Sequence, residues 1–528
     1  MSLAKIKNNV SMSFRLSGLN IKGDALNYLA DLLSPVEPSE HNQWIERIID
    51  LILKQGLTSP LVDLKHVEAA ALECGRTKTE EADTFFNVIS AYDVPHYVYV
   101  PDRKKYILSS AAGIANPSIY SDADTKGAMF RERYTKIQQR TARHELFSPS
   151  TGSILSTTET SVKFKMIPIE FLLGTTTKLK DVVVLGFLTQ LKEGKFYLED
   201  PTGSVPIDLS NAVFQAGLYT EGCFVLTEGW YDNGVYYVKG VGFPPPEPAK
   251  TTRAYFGNAN FFGGPSQTTV KASAKLKSLE QANPDAMMIF LADVWLDQHM
   301  VLEKVRTLLN GYAELQPFAI VFMGDFLSSS KGSEGLTLFR NQFKKLGEMI
   351  SEHPQLVKNT KFIFVPGPHD PGFPAILPRP PLPKTLTDGL VQKVPNAIFS
   401  TNPCRIQYGT REIVIFREDL VTRMCRNCLH FPSNSDIPEH FVKTLVSQCH
   451  LSPLPLNVRP TYWAYDSALS IYPLPDLAVI ADKFEPFTTT NTDTTVVNPG
   501  SFSRNQFSFK VYYPATGQVD DSQIEAYE

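Results

Sequence analysis

The chain has 528 residues, 43% of them hydrophobic and 20% charged, with a formal net charge of −4 and an isoelectric point near 6.2. That length suits roughly two to four soluble domains. The charge excludes bulk electrostatic attraction to nucleic acid, so any DNA contact must be local or belong to a partner. Six cysteines in so long a chain do not make a disulfide framework, which points to a reducing interior. Met1–Asn20 has no apolar signal-peptide core, and no window approaches about 18 uninterrupted apolar residues. A protein without a membrane anchor is expected.

Residues 1–92 read as a helical domain. Ile45, Ile48, Ile49, Ile52 and Leu53 recur on one helix face. Asp24 and Thr79 precede two further periodic stretches, Leu26–Leu33 and Phe85–Tyr92, where they can accept from orphan N–H groups. So small a bundle is either a plain packed core or a partner-docking module. Residues 93–163 read as an irregular linker, with Pro101, Pro117, Pro149 and a polar run from Ser148 to Ser161. Inside it, Phe130–Phe147 is a mixed-charge stretch expected to form a helix with a solvated face.

Residues 164–245 change to short alternating runs. Val182–Leu188, Lys195–Leu198, Val205–Leu209, Cys223–Glu228 and Val235–Val238 are candidate strands, separated by turn residues such as Asp232-Asn-Gly234. Such a meander predicts an OB-type barrel. Phe196, Tyr197, Tyr236 and Tyr237 are available to stack on a single strand, but neighbours in a strand face opposite ways, so only half can line one groove. After a connecting segment, 246–286, strands alternate with helices. Met287–Leu291, Phe318–Met323 and Phe362–Val365 are buried-type strands with helical stretches Leu296–Leu309 and Leu336–Ile350 between them. Ile413–Phe416 and Leu477–Ile480 extend the α/β pattern through 287–528.

Each of these apolar runs is followed by polar residues, at the strand ends where α/β sheets place their sites. In order they are Asp293-Val-Trp295, Gly324-Asp325, Gly367-Pro-His-Asp370, His450 and Ala481-Asp-Lys-Phe484. This series resembles the calcineurin-like metallophosphoesterase family, in which Asp-x-His, Gly-Asp, Gly-Asn-His-Asp/Glu, a lone His and Gly-His-x-His surround two metal ions. Such ions stand about 3.5–4 Å apart and need a near-complete cage of carboxylate and imidazole ligands. Here Trp295, Pro368, Asp482 and Phe484 replace ligands, while Asp293, Asp325, His369, Asp370 and His450 persist. An indole N–H donates and cannot ligate a cation. The expectation is a vestigial site with no catalytic residue, resident metal or cofactor. Asp293 and Asp325 would then accept backbone N–H bonds. A divergent one-metal phosphoesterase or nuclease, and a single-strand-binding module, are the rival readings. Cys425-Arg-Asn-Cys428, with His430 and His440 nearby, supplies only half of a structural zinc pattern, the alternative being ordinary buried thiols.

An OB-type barrel directly before a degenerate phosphoesterase domain resembles the B subunits of eukaryotic replicative DNA polymerases, and within them the polymerase epsilon branch. The likeness runs through Glu193–Gly203, Thr252–Tyr255, Asn260–Pro265, Ile376–Pro381, Thr401–Arg405, Phe416-Arg-Glu-Asp-Leu420 and Tyr462–Tyr465. It implies a multi-domain α+β protein: an N-terminal helical bundle, an OB-type barrel and an inactive α/β phosphoesterase sandwich. It also implies a nuclear scaffold that binds the C-terminal domain of the polymerase epsilon catalytic subunit. The small histone-fold subunits of that complex and the GINS component of the replicative helicase are the further implied partners, with mostly indirect DNA contact. Aromatic and proline-rich loops at Phe373–Pro383 and Phe484–Phe487 are candidate contacts.

Overall fold

In a computed structural model, the described residues are 3–33, 41–54, 61–74, 85–113, 117–148, 164–329, 332–372, 375–433 and 436–524. Thr79, Phe373 and most of the polar run from Ser148 to Ser161 lie outside them. The chain divides into two compact units, Met1–Phe85 and Phe86–Glu528.

The first unit packs helices α1 (Leu3–Leu16), α2 (Gly23–Leu33), α3 (His41–Lys54) and α4 (Leu64–Cys74), with short parallel strands β1 (Asn20–Ile21) and β2 (Leu61–Val62). The 3.6-residue spacing in α3 does what it promises. Ile45, Ile48, Ile49 and Ile52 all enter one core with Val10, Phe14, Leu29 and Leu33. Asp24 falls in the first turn of α2, where its charge complements the helix dipole.

The helix expected around Phe85–Tyr92 is not there. Phe86–Ser90 is strand β3, antiparallel to β16 (Cys404–Tyr408), with Ile89 opposite Arg405. A helical period and a strand alternation are hard to tell apart over so few residues, and the partner strand, some 300 positions away, decides. Ala91 N then donates to Thr401 Oγ1 at 2.8 Å, and Tyr92 OH to the Pro378 carbonyl at 3.0 Å.

Part of the expected linker is also ordered. Tyr97–Val100 (β4) and Lys105–Leu108 (β5) form a hairpin, and Ala123–Arg143 is helix α5, capped by Asp122, which accepts from Thr125 N at 2.9 Å. The solvated-face expectation for this helix is corrected. Arg133, Tyr134, Ile137, Gln139, Arg140 and Thr141 are buried, because the cations find acceptors elsewhere in the fold. Arg133 pairs with Asp466, Lys136 reaches Ser470 Oγ at 2.9 Å, and Arg140 reaches the Ser447 carbonyl at 2.8 Å.

The barrel comprises β6 (Leu179–Lys192), β7 (Lys195–Asp200), β8 (Gly203–Asp208), β10 (Phe224–Asp232) and β11 (Val235–Gly242), with a short β9 (Val213–Phe214). The order β10-β6-β7-β8-β11 is closed by the β10–β11 pairing. Period-two alternation buries Val182, Val184, Leu188, Leu198, Val205, Val225, Tyr236 and Val238 in one core. Tyr236 is wholly internal and donates to the Val182 and Thr227 carbonyls, both at 3.0 Å.

The remaining residues build two six-stranded sheets. The first runs β15 (Ile398–Phe399), β14 (Lys361–Val365), β13 (Ala319–Met323), β12 (Met288–Ala292), β21 (Ser508–Tyr513), β22 (Gln518–Gln523). The second runs β19 (Phe487–Asn491), β20 (Thr494–Asn498), β18 (Leu477–Ala481), β17 (Arg411–Arg417), β16, β3. Strands β12 and β13 are buried at every position, as parallel strands covered on both faces must be. Ile289, Leu291, Ile320 and Phe322 meet the helices His299–Tyr312 and Gly332–Ser351 in one core. At the start of β13, Phe318 packs edge-on against Tyr408 of the second sheet. The parallel strands of both sheets end on the same polar cluster.

Candidate functional site

Five strand ends converge. Asp293 follows β12, Asp325 follows β13, Gly367–Asp370 follow β14, Arg417 closes β17 and Asp482–Lys483 follow β18. The approach is tight enough to select glycine. A Cβ on Gly324 would overlap Asp370 Oδ2, and one on Gly367 would overlap Asp325 Oδ1. Asp293 adopts φ 53°, a left-handed backbone that a branched or bulky residue would resist.

At the centre lies Arg417, whose side chain is 0% exposed. Its guanidinium donates to Asp293 Oδ1 from Nη2 at 2.7 Å and from Nε at 3.1 Å, to Asp419 Oδ1 at 2.7 Å, and to the Ala481 carbonyl at 3.2 Å. It also donates to the Gly324 carbonyl, and Nη2 stands 3.7 Å from Asp325 Oδ2. Lys483 Nζ lies 3.0 Å from Asp419 and 3.6 Å from Asp325. On the open side, His369 Nδ1 is 2.6 Å from Asp325 Oδ2, and His369 N donates to Asp325 Oδ1 at 2.8 Å. Three carboxylates are thus met by a guanidinium, an ammonium and an imidazole.

The titration shifts follow from this packing. Burial pushes the Asp325 carboxyl up, but the His369 hydrogen bond and Arg417 overcome it and hold the group below its ordinary range. His369 is shifted upward, first by its hydrogen bond to Asp325. Burial, with the Asp325 charge beside it, drives Asp370 upward, although it accepts from Phe326 N and Gly367 N at 2.8 Å each. Burial would lower the Arg417 pKa, yet Asp293, Asp419 and Asp325 keep it charged.

The positions expected to replace metal ligands point elsewhere. Trp295 is half-buried, with the Arg504 guanidinium 5.0 Å from its ring. Asp482 accepts from the N–H groups of Val421 and Phe484, at 2.9 and 2.8 Å, a loop-fixing role. Pro368 and Phe484 carry no donor or acceptor on their side chains. His450 does not join the cluster through any hydrogen bond. It is buried beside Asp466, with Nε2 3.2 Å from Oδ1, while Nδ1 accepts from Ser452 N. Burial and the Arg133 charge lower its pKa to about 4, so the ring is neutral and Asp466 is paired by Arg133.

The two metal ions that the resemblance implies do not fit these residues. A guanidinium nitrogen already bridges toward both Asp293 and Asp325, and among the described residues no group of three His, Cys, Asp or Glu is arranged to hold an ion. Around the Cys-x-x-Cys, Cys428 Sγ donates to the His430 carbonyl, His430 stacks on Phe214, and His440 Nδ1 accepts from Gly217 N at 2.7 Å. The nearby histidines are engaged with the barrel.

Sequence reasoning overlooked Arg417, Asp419 and Lys483. The signal was present: Arg417 directly follows the apolar run Ile413–Phe416, as Asp293, Asp325, Gly367–Asp370 and Asp482 follow their strands.

The family of DNA polymerase alpha/epsilon B subunits matches residues 288–489. The OB-fold domain of "DNA polymerase epsilon subunit 2-like" proteins matches 123–245, and "DNA polymerases epsilon N terminal" matches 2–74. "DNA polymerase epsilon subunit 2" of Homo sapiens is 51% identical over 529 residues, covering 100% of both chains. Its Drosophila melanogaster namesake is 42% identical over 99% of each chain. The DNA polymerase epsilon B subunit of Saccharomyces cerevisiae is 29% identical over 83% of this chain and 75% of its own. An end-to-end likeness of this strength, over an N-terminal helical unit, an OB barrel and a two-sheet sandwich, places the chain in the DNA polymerase epsilon subunit 2 family.

Proposed function

We propose that the chain is a non-catalytic accessory subunit of DNA polymerase epsilon, acting in the nucleus in chromosomal replication. In this reading it binds the C-terminal domain of the catalytic subunit and helps connect the polymerase to the replicative helicase through GINS. The small histone-fold subunits belong to the same assembly, and DNA contact is mostly indirect. The observation that carries the reading is the identity of about half of all positions with a protein named as that subunit, over the full length of both. Two features agree with it. The strand-end carboxylates Asp293 and Asp419 have internal cations as partners, and no described helix is long and apolar enough to cross a membrane.

Affinity purification of the tagged full chain from cells tests this. The polymerase catalytic chain should be the dominant co-purifying protein, in near-stoichiometric amount, and Asp325→Asn should not reduce it. The purified chain should show no phosphodiester or phosphomonoester hydrolysis with added manganese. Turnover abolished by Asp325→Asn, or an absent polymerase chain, overturns the reading.

A further inference from the structure

We propose that Arg417 is the resident cation of the strand-end cluster: its guanidinium stands where a divalent ion would have to bind, keeps metal out, and when removed leaves a divalent-cation site.

The argument rests on position, charge and one orphaned atom. Arg417 belongs to the second sheet and Asp293 and Asp325 to the first, so the guanidinium ties the two sheets together at their strand ends. It binds Asp293 and the Gly324 carbonyl on one side, Asp419 and the Ala481 carbonyl on the other. A cation shared between carboxylates from different strands is what a metal centre supplies. A planar fork with several donors can satisfy that geometry from within the chain. The side chain is sealed, with 0% exposure, and Asp293 is 1% exposed.

Asp293 Oδ2 is buried without a hydrogen-bond donor. A buried carboxylate oxygen left without a donor is costly, and it lies on the same carboxylate that Arg417 grips. With Arg417 gone, Asp293 would lose the guanidinium that pairs it, while Lys483 and His369 would still face Asp325. Two carboxylates, with water completing the shell, suit a hard divalent ion such as manganese. The inference deepens the non-catalytic part of the proposed function. Its test reads metal content and stability rather than complex assembly, so the two can fail separately.

The test uses the EDTA-treated full chain, with thermal unfolding followed in EDTA and in excess manganese, and bound manganese counted after gel filtration. Wild type should melt at the same temperature in both and retain no manganese. Arg417→Ala should melt lower in EDTA, recover several degrees in manganese, and retain about one ion. Adding Asp325→Asn to that variant should abolish the recovery. Manganese retained by wild type and lost with Asp325→Asn overturns the proposal, as does an Arg417→Ala chain that folds and ignores manganese. Should Arg417→Ala fail to accumulate, a double substitution decides. Arg417→Gln with Asp293→Asn should melt higher than Arg417→Gln alone if the guanidinium serves as counter-ion, and an equal or lower value overturns the idea.

Discussion

Arg133 and Asp466 lie 333 positions apart, yet Arg133 Nε donates to Asp466 Oδ2 at 2.9 Å with both side chains nearly closed to solvent. Helix α5, which leads into the barrel, is thereby fastened to the sandwich. Breaking a buried pair by removing one partner leaves an uncompensated charge and costs about 3–5 kcal/mol. Arg133→Met should therefore lower stability by about that amount in denaturant unfolding. Adding Asp466→Asn should cost less than the sum of the two single losses, and strict additivity would show that the pair is not coupled.

His450 should make this region acid-labile. Its pKa falls from 6.5 to about 4 in the fold, through burial and then the Arg133 charge, so the folded state disfavours its proton. As pH drops below about 6.5 the unfolded chain takes up that proton first, and stability is lost progressively until about pH 4. The total is on the order of 3 kcal/mol. His450→Asn should remove roughly one proton from the pH dependence of unfolding free energy across that window. An unchanged slope would assign the acid lability to other groups.

The glycines at the strand ends are there for space, whereas those in hairpins are there for conformation. A Cβ at Gly324 would overlap Asp370 Oδ2 and lie 2.5 Å from Gly367 N. Gly324→Ala should cost about 3 kcal/mol or more. Gly234 sits in the β10–β11 turn at φ +81° with nothing within 4 Å of its Cβ position. Gly234→Ala should cost only about 1 kcal/mol, the price of the left-handed backbone. Comparing urea midpoints of the two variants checks the contrast.

Strand β3 places a sharp boundary at residue 86. A chain beginning there keeps the ladder between Phe86–Ser90 and Cys404–Tyr408, together with buried Ile89. A chain beginning at 93 loses both and exposes an edge of the second sheet. The first should unfold cooperatively with a melting temperature close to that of the sandwich in the full chain. The second should melt at least several degrees lower or aggregate.

The strength of local signals decided how much could be read without coordinates. Period-two alternation and turn residues place the five barrel strands, because each strand turns one face to the barrel core whatever its partner, although β6 is buried on its other face too. The α3 isoleucines and the continuous apolar runs of β12, β13 and β14 are legible for the same reason. Misreadings arose where the partner is remote. Phe85–Tyr92 fits a helix until β16 offers its edge, and the arginines of α5 look solvated until Asp466, Ser447 and Glu247 meet them.

The strand-end cluster divides in the same way. Sequence alone placed Asp293, Asp325, His369 and Asp370 after apolar strands, since motif order survives in linear spacing, whereas the reading of Trp295, Pro368, Asp482 and Phe484 as replaced ligands is what the family resemblance implies. Only the tertiary structure set His450 beside Asp466 rather than hydrogen-bonded within the cluster. Only the tertiary structure, too, put the Arg417 guanidinium between Asp293 and Asp325. A charge is compensated by whatever lies within a few ångströms in space, and two sheets that share a polar edge bring together residues 124 positions apart, a proximity absent from any local pattern.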